Sequence, residues 1–257
     1  MTVANSEAVL KALVEMSLRL GRPERELVIL GEGNTSALCD DGTFWVKASG
    51  AQLPIIDADG FVHMKLDAVC ALADRESLSD DEFKAALEAA KVDPSKSARP
   101  STETVFHALA LTEGGARFVG HTHPVAVNAL ACSVAVPEAI AGRLFPDEIV
   151  VCGPAPAYVP YTDPGFPLAR AVRHALRGYM ARWGRPPKVV FMQNHGLIAL
   201  GSSPDEVDNI TAMFVKTCRI LAGTYVFGGP HFLSRAHVER IHTRPDEVYR
   251  RRQLRIS

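Results

Sequence analysis

The apolar positions of this chain follow the helical period in three long segments. From Ser6 to Leu20 they recur at helical spacing, and Gly21 follows as a stop. The segment Pro167–Trp183 shows the same amphipathic period. A third segment begins at Ser203, with proline at the first helical position, and continues to about Tyr225. We predict a helix over each of them.

Two shorter helices are predicted from the residues that would cap them. Ser79 and Glu82 have the spacing of a capping box in front of the segment Phe83–Ala90. Ser101 is expected to cap a helix that continues through Leu111 and carries Glu103 in its first turn.

Short apolar runs predict the strands. Two of them flank the turn Asp40-Asp41-Gly42 and read as a β-hairpin. The predicted strands are Ser36–Cys39, Thr43–Ala48, Ala116–Val119, Ile149–Cys152 and Lys188–Met192. Helices and strands alternate without a regular βαβ order, which favours a single α/β domain with a central mixed, largely antiparallel sheet flanked by helices. We assign residues 1–230 to this domain. The basic tail, residues 231–257, would belong to the same domain or to an interface.

Composition narrows the class of protein. With 257 residues, 47% hydrophobic and 22% charged, the chain has the make-up of an ordinary soluble protein. A net charge of -1 gives no electrostatic reason to expect a nucleic-acid or membrane partner. Neither a signal peptide nor an uninterrupted apolar run of about 18 residues is visible. The five cysteines lack paired spacing, so we expect a reducing compartment, the cytoplasm.

The candidate chemistry centres on three histidines. His121 and His123 follow a predicted strand, where alternate side chains project from one face. His195 would complete an open three-histidine site of the kind that holds a catalytic metal. A lone His-x-His pair is more often a surface or core pair, but the upstream carboxylate of Glu103 and the neighbouring glycines favour a metal. We expect one Zn²⁺, or Mn²⁺, per chain.

Three loop segments could together hold an anion. Each combines small or hydroxyl-bearing residues with exposed backbone N–H groups, and the second adds a lysine. The candidate residues are Asn34, Thr35, Lys47, Ser49, Gly50, Ser101 and Thr102. None of the segments matches a nucleotide-binding loop, so a substrate that carries a phosphate is the favoured ligand.

The order of these motifs resembles the class II aldolase/adducin family. Gly33-Asn34-Thr35-Ser36, Ser49-Gly50, Pro100-Ser101-Thr102-Glu103, His121-Thr122-His123 and Asn194-His195-Gly196 carry the likeness, which covers roughly Ser6 to Phe227. The family includes fuculose-phosphate and rhamnulose-phosphate aldolases and ribulose-phosphate 4-epimerase.

The resemblance implies a role for each motif. His121, His123 and His195 would be the zinc ligands. Glu103 would ligate the metal at rest and handle the proton at the substrate carbon, while the anion segments would bind phosphate. Tyr161 lies in a segment from which such aldolases supply an acid across a subunit boundary, or it simply covers an edge of the core. A homotetramer is expected.

These roles describe a metal-dependent carbon–carbon lyase. A small sugar phosphate would be cleaved to dihydroxyacetone phosphate, or a related enediolate, and an aldehyde. Decarboxylation of a 3-oxo sugar-acid phosphate or similar oxo acid, and epimerisation of a sugar phosphate, remain alternatives. A non-enzymatic interaction module like the adducin head is more remote, because it has no need of three histidines and Glu103.

Overall fold

A seven-stranded sheet forms the centre of the molecule. The computed structural model describes residues 3–136 and 138–253. The strands are β1 (Asn34–Leu38), β2 (Thr43–Lys47), β3 (Phe61–Lys65), β4 (Phe118–Thr122), β5 (Ala157–Val159), β6 (Val189–Met192) and β7 (Gly196–Gly201). Their order is β3-β2-β1-β4-β7-β6-β5, with β5 and β6 parallel and every other pair antiparallel. The predicted mixed, largely antiparallel sheet is confirmed.

Helices cover both faces of this sheet. They are α1 (Val3–Leu20), α2 (Leu66–Cys70), α3 (Asp80–Ala89), α4 (Thr104–Thr112), α5 (Val125–Ala131), α6 (Pro146–Cys152), α7 (Phe166–Trp183), α8 (Pro204–Thr224), α9 (Arg235–Thr243) and α10 (Pro245–Gln253). One apolar core lies between the sheet and α2, α3, α4 and α7, and a second lies between the sheet and α1, α5, α6 and α8. Because both faces are covered, β4, β6 and β7 are buried along their whole length.

The predicted helix starts depend on side-chain caps that the structure contains. The Ser79 hydroxyl accepts a hydrogen bond from the Glu82 N–H, and the Glu82 carboxylate accepts one from the Ser79 N–H. The Ser203 hydroxyl caps α8 in the same way, accepting from the Glu206 N–H. At α4 the prediction is off by a few residues. The helix begins at Thr104, so Glu103 precedes the first turn rather than lying within it.

One predicted strand is wrong. The segment Ile149–Cys152 forms the last part of helix α6 instead. Pro146 occupies the first turn, acidic residues follow it, and Gly153 ends the helix with a φ of 77°. A short apolar run does not by itself distinguish a buried strand from a buried helix, so these flanking residues decide.

The basic tail forms helices α9 and α10. In α9 the side chain of Val238 is buried, and the N–H of Leu233 donates to the carbonyl of Arg143 at 2.8 Å. Arg250 in α10 forms an ion pair of 2.7 Å with Asp147 of α6. Arg255 lies outside the described residues. These contacts place residues 231–253 against the end of α6.

Helix α8 is also notable for its composition. Together with the turn after it, Pro204–Phe227, it is long and apolar enough to cross a membrane by those two criteria. Its apolar stripe, which includes Val207, Ile210 and Phe214, is nevertheless buried in the second core. The pattern is that of a core helix that packs against the sheet.

Candidate metal centre

Strand register brings the three histidines together. His121 lies on β4 and pairs with Asn34 of β1 on one side and with Ile198 of β7 on the other. His123 follows the end of β4, and His195 lies in the three-residue loop that joins β6 to β7. One ring nitrogen from each of these histidines lies within 4.8 Å of the others. The predicted constellation therefore exists in the fold.

Two glycines allow the chain segments around the histidines to approach closely. A Cβ on Gly196 would lie 2.5 Å from the carbonyl oxygen of Thr122 and 2.9 Å from Cδ2 of His123. A Cβ on Gly33, where φ is 65°, would lie 2.7 Å from the carbonyl oxygen of His121. Both contacts are too short for any other residue, so the site depends on glycine at these positions.

Contacts of the outer ring nitrogens of His121 and His123 set which nitrogen of each ring faces the centre. The Nδ1–H of His121 donates to the carbonyl of Leu197 at 2.9 Å, which leaves its Nε2 with a lone pair in the neutral ring. That Nε2 lies 2.9 Å from Nε2 of His123. The other nitrogen of His123, Nδ1, lies 3.8 Å from a carboxylate oxygen of Glu32. A carboxylate behind a histidine is the usual means of orienting a metal ligand.

Glu103 closes the cluster from the start of α4. Its Oε1 lies 3.2 Å from Nε2 of His195, and its Oε2 lies 3.6 Å from Nε2 of His121. The side-chain amide of Asn34 also donates to Oε2, at 2.6 Å. Both carboxylate oxygens are thus directed at the ligand nitrogens.

The electrostatics favour neutral imidazoles beside a charged carboxylate. Burial lowers the pKa of His121 well below its ordinary value, and burial together with the neighbouring His195 lowers the pKa of His123. At Glu103 burial acts to raise the pKa. Electrostatic interaction with the His121 and His195 rings and hydrogen bonds from His195 and Asn34 outweigh burial and hold the pKa well below its usual range.

This donor set fits a divalent transition metal. Metal ligation requires neutral imidazoles, and burial favours that form at His121 and His123. The Glu103 carboxylate adds a negative charge beside them. The Nε2 atoms of His121 and His123 face one another at 2.9 Å, an arrangement that a shared cation satisfies. Three histidine nitrogens with one displaceable carboxylate make an open site of the catalytic kind, and N-donor sets of this type suit zinc.

The predicted anion segments meet beside this centre. A bridge between Ala48 and Pro100 places Ser49 next to Ser101, and the Ser49 N–H donates to Arg99 at 2.9 Å. Ser49, Gly50 and Thr102 are exposed, and Gly50 has a φ of 82°. The hydroxyl of Ser101 accepts from the N–H of Glu103, which links these exposed groups to the carboxylate.

Lys47 lies beneath these segments rather than among the exposed groups. Its ammonium is buried and donates to the carbonyls of Gly31 and Ala51, at 3.2 and 2.5 Å. Burial lowers its pKa, and the charge of Glu103 acts against that shift. Lys47 therefore contributes positive charge behind the anion segments and fixes two of their loops.

Thr35 is separated from the other predicted residues. It is fully buried, and its hydroxyl bonds with that of Ser17 of α1 at 2.7 Å, on the opposite face of the sheet from Asn34. Its side chain is therefore part of the second core and does not reach the exposed anion segments. We remove it from the set of candidate phosphate-binding residues.

Tyr161 follows β5 at the same end of the sheet as His195. The backbone of Gln193, two residues before His195, donates to Val159, two residues before Tyr161. Tyr161 is 59% exposed, and its hydroxyl donates to Asp163 at 3.0 Å. This hydrogen bond raises the pKa of the tyrosine, so the hydroxyl stays protonated. The structure places Tyr161 on the surface, not in contact with the three histidines.

Sequence comparison identifies the family. The model of the Class II Aldolase and Adducin N-terminal domain matches residues 11–222. The chain belongs to this family. The predicted resemblance is confirmed, and membership supports an enzyme of the aldolase type.

Two solved structures and one sequence relative illustrate the likeness. YgbL of Klebsiella pneumoniae is 20% identical, with a TM-score of 0.70 over 94% of this chain and 99% of that one. An L-fuculose 1-phosphate aldolase is 19% identical, with a TM-score of 0.69 over 92% and 95%. At these identities the two structures establish the fold.

The sequence relative is longer than this chain. A Bacillus subtilis (strain 168) protein named "Uncharacterized oxidoreductase YuxG" is 30% identical over 193 residues, 71% of this chain. The match spans only 25% of that relative. The word oxidoreductase in its name therefore refers to a protein of which most lies outside the match.

Sequence reasoning missed two residues of this aldolase-family site. His107 is fully buried and lies between Ser36 and Asn34, with a hydrogen bond to each. Burial lowers its pKa to about 3. The only available signal was the four-residue spacing between Glu103 and His107, which places both on one face of a helix. Glu32 is the other, and its carboxylate faces His123.

Proposed function

We propose that this chain is a metal-dependent carbon–carbon lyase that acts on a small sugar phosphate. The observation that carries the proposal is the Glu103 carboxylate, directed at Nε2 of His121 and of His195 beside exposed anion-binding loops. A divalent cation, Zn²⁺ or Mn²⁺, held by His121, His123 and His195 would act as a Lewis acid toward the substrate carbonyl and stabilise negative charge that develops there.

The remaining chemistry is assigned to the chain's own residues. In the direction of bond formation, the Glu103 carboxylate takes a proton from the carbon next to the ketone, and its depressed pKa keeps it in the ionised form that can accept a proton. In cleavage the same residue returns that proton to the carbon from which the aldehyde has left. Ser49, Gly50, Ser101 and Thr102 would bind the phosphate through hydroxyls and backbone N–H groups, above the charge of Lys47.

Tyr161 is the proposed acid at the aldehyde oxygen. Its protonated hydroxyl can donate a proton to the aldehyde oxygen in the condensation direction. Because it is exposed and apart from the histidines in one chain, we propose that it serves the site of a neighbouring subunit in a homotetramer. The enzyme would act in the cytoplasm, and residues 231–257 would complete the same domain or extend its interface.

One experiment addresses both the reaction and the role of Glu103. Purified protein loaded with Zn²⁺ or Mn²⁺ is assayed on a panel of ketose phosphates and oxo acids, with dihydroxyacetone phosphate and CO2 as the two readouts. Release of dihydroxyacetone phosphate supports the lyase, whereas release of CO2 alone would replace it with a decarboxylase.

The Glu103 variant sharpens the same assay. Glu103→Gln should retain fold and metal while proton exchange at the donor carbon slows by about 10²-fold or more. Glu88→Gln is a matched control, because Glu88 lies on α3 and its exposed carboxylate is paired with the buried ammonium of Lys91. Unchanged exchange in the Glu103 variant would show that another group carries the proton.

A further inference from the structure

A buried chain of polar side chains extends from Glu103 into the first core. Asn34 donates from Nδ2 to Oε2 of Glu103 at 2.6 Å, and its Oδ1 is hydrogen-bonded to Nε2 of His107. Nδ1 of His107 lies 2.7 Å from the hydroxyl of Ser36. His107 and Ser36 are fully buried, and Asn34 is 5% exposed. Water therefore does not replace these hydrogen bonds.

The direction of every hydrogen bond in this chain follows from the carboxylate. An ionised carboxylate only accepts, so the amide nitrogen of Asn34 must face Glu103 and the amide oxygen must face His107. That oxygen also only accepts, so Nε2 of His107 must carry a proton. The ring is then neutral with an acceptor at Nδ1, to which the Ser36 hydroxyl donates. One tautomer of His107 is compatible with this arrangement.

Secondary structure fixes the spacing of the four groups. Asn34 and Ser36 are two residues apart on β1 and project from the same face, whereas Thr35 between them projects toward α1. Glu103 and His107 are one helical turn apart at the start of α4. The Phe106 ring stacks near His107, with centroids 4.8 Å apart. Asn34 and Ser36 on the strand thus face Glu103 and His107 at the start of the helix.

We propose that His107 is a positioning residue that orients the amide of Asn34 toward Glu103. Without the Nε2–H donor the buried amide oxygen of Asn34 has lost its partner, so the side chain is held only by its bond to Glu103 and can shift away from the carboxylate. His107 itself touches neither the reacting carbon nor the metal ligand nitrogens. The functional part of this inference rests on the proposed role of Glu103, whereas the hydrogen-bond direction does not.

The direction is tested without turnover. Nitrogen NMR of histidine-labelled protein, with the His107 signals assigned from their loss in a His107→Gln variant, should show the Nε2–H tautomer. The side-chain amide protons of Asn34 should exchange slowly with solvent in the unaltered protein. They should remain slow in His107→Gln, whose amide can still donate, and become fast in His107→Leu. An Nδ1–H tautomer, or slow exchange in His107→Leu, would overturn the inference.

The effect on catalysis is tested by non-additivity. His107→Leu should lower kcat for proton exchange by about 10- to 100-fold with little change in KM or metal content, and His107→Gln should retain most of kcat. In an Asn34→Ala background the same His107→Leu change should alter kcat by less than about twofold, since its route to Glu103 is gone. An equal loss in both backgrounds would refute the positioning role.

His63 provides a matched control. It is also a histidine bonded to a hydroxyl, with Nε2 at 2.7 Å from Thr43, and it stacks on Trp45 away from Glu103. His63→Leu should leave the exchange of the Asn34 amide and the kcat unchanged. If His107→Leu does not fold, the tautomer in the unaltered protein still decides the question. If no lyase activity is found, the NMR results stand and the proposed function fails by itself.

Discussion

Two glycine-to-alanine substitutions should have opposite effects on this protein. At Gly196 the added Cβ would lie 2.5 Å from the carbonyl oxygen of Thr122, about 0.9 Å short of the 3.4 Å at which ordinary contact begins. Gly196 is not among the residues with positive φ, so the cost is contact rather than backbone strain. The ends of β4 and β7 must separate, at an expected cost of about 1–3 kcal/mol in the free energy of unfolding.

The same separation should damage the metal centre. Gly196 follows His195 directly, and the added Cβ would also lie 2.9 Å from Cδ2 of His123. A displacement approaching 1 Å exceeds the roughly 0.2 Å tolerance of metal–ligand distances. Gly196→Ala should therefore weaken zinc binding by at least about tenfold, the lower end of what mispositioned ligands cost.

Gly178→Ala is the control with the opposite sign. Gly178 is exposed in the middle of α7, and its added Cβ would have nothing within 4 Å. Alanine in a helix interior should increase the free energy of unfolding by about 0.5–1 kcal/mol and leave zinc affinity unchanged. Urea unfolding and a competitive zinc titration measure both quantities. A Gly196→Ala protein as stable and as zinc-competent as the original would refute the contact argument.

Three further predictions follow from the site. Ser49→Ala with Ser101→Ala should raise KM for a phosphorylated substrate but not for its unphosphorylated analogue, measured by steady-state kinetics, and equal effects would argue against a phosphate cradle. Mixed chains of Tyr161→Phe and His195→Ala should regain partial activity if the tyrosine serves a neighbour; an inactive mixed tetramer would contradict sharing. The pKa of His107, about 3 in the fold against about 6.5 unfolded, means that the unfolded state binds more protons between these values. The free energy of unfolding should therefore decrease as the pH is lowered through this range, by about 1.4 kcal/mol at pH 5.5, and His107→Gln should remove that part of the denaturation profile.

The sequence predicted the long helices, the hairpin and the mixed sheet because each has a local signal. Caps at Ser79 and Ser203 and the turn at Asp41 depend on residues within a few positions of one another. Strand β5 has three residues, too few to show a period clearly. The segment Ile149–Cys152 failed for the same reason.

The site was predictable to the extent that its residues form compact motifs. His121, His123 and His195 were recognisable from spacing and from neighbouring glycines, and the fold brings their nitrogens together. The orientation of Thr35 was not recognisable, because it depends on which face of β1 meets α1. A shift of one position along a strand exchanges the residues that face the core and the site, and the pairing of β1 with β2 and β4 fixes that position.

The link between Asn34 and His107 shows why part of the site could not be predicted from the sequence. Asn34 reads from sequence as an anion-binding loop residue, yet both ends of its amide are already bonded, one to Glu103 and one to His107. Its partners are 69 and 73 positions away along the chain. Asparagine serves here because it can donate to a carboxylate and accept from an imidazole at once; aspartate would oppose Glu103, and leucine would leave two buried groups unpaired. The identity of the residue is therefore set by two distant neighbours, and the chemistry of Glu103 depends on a contact that no local pattern records.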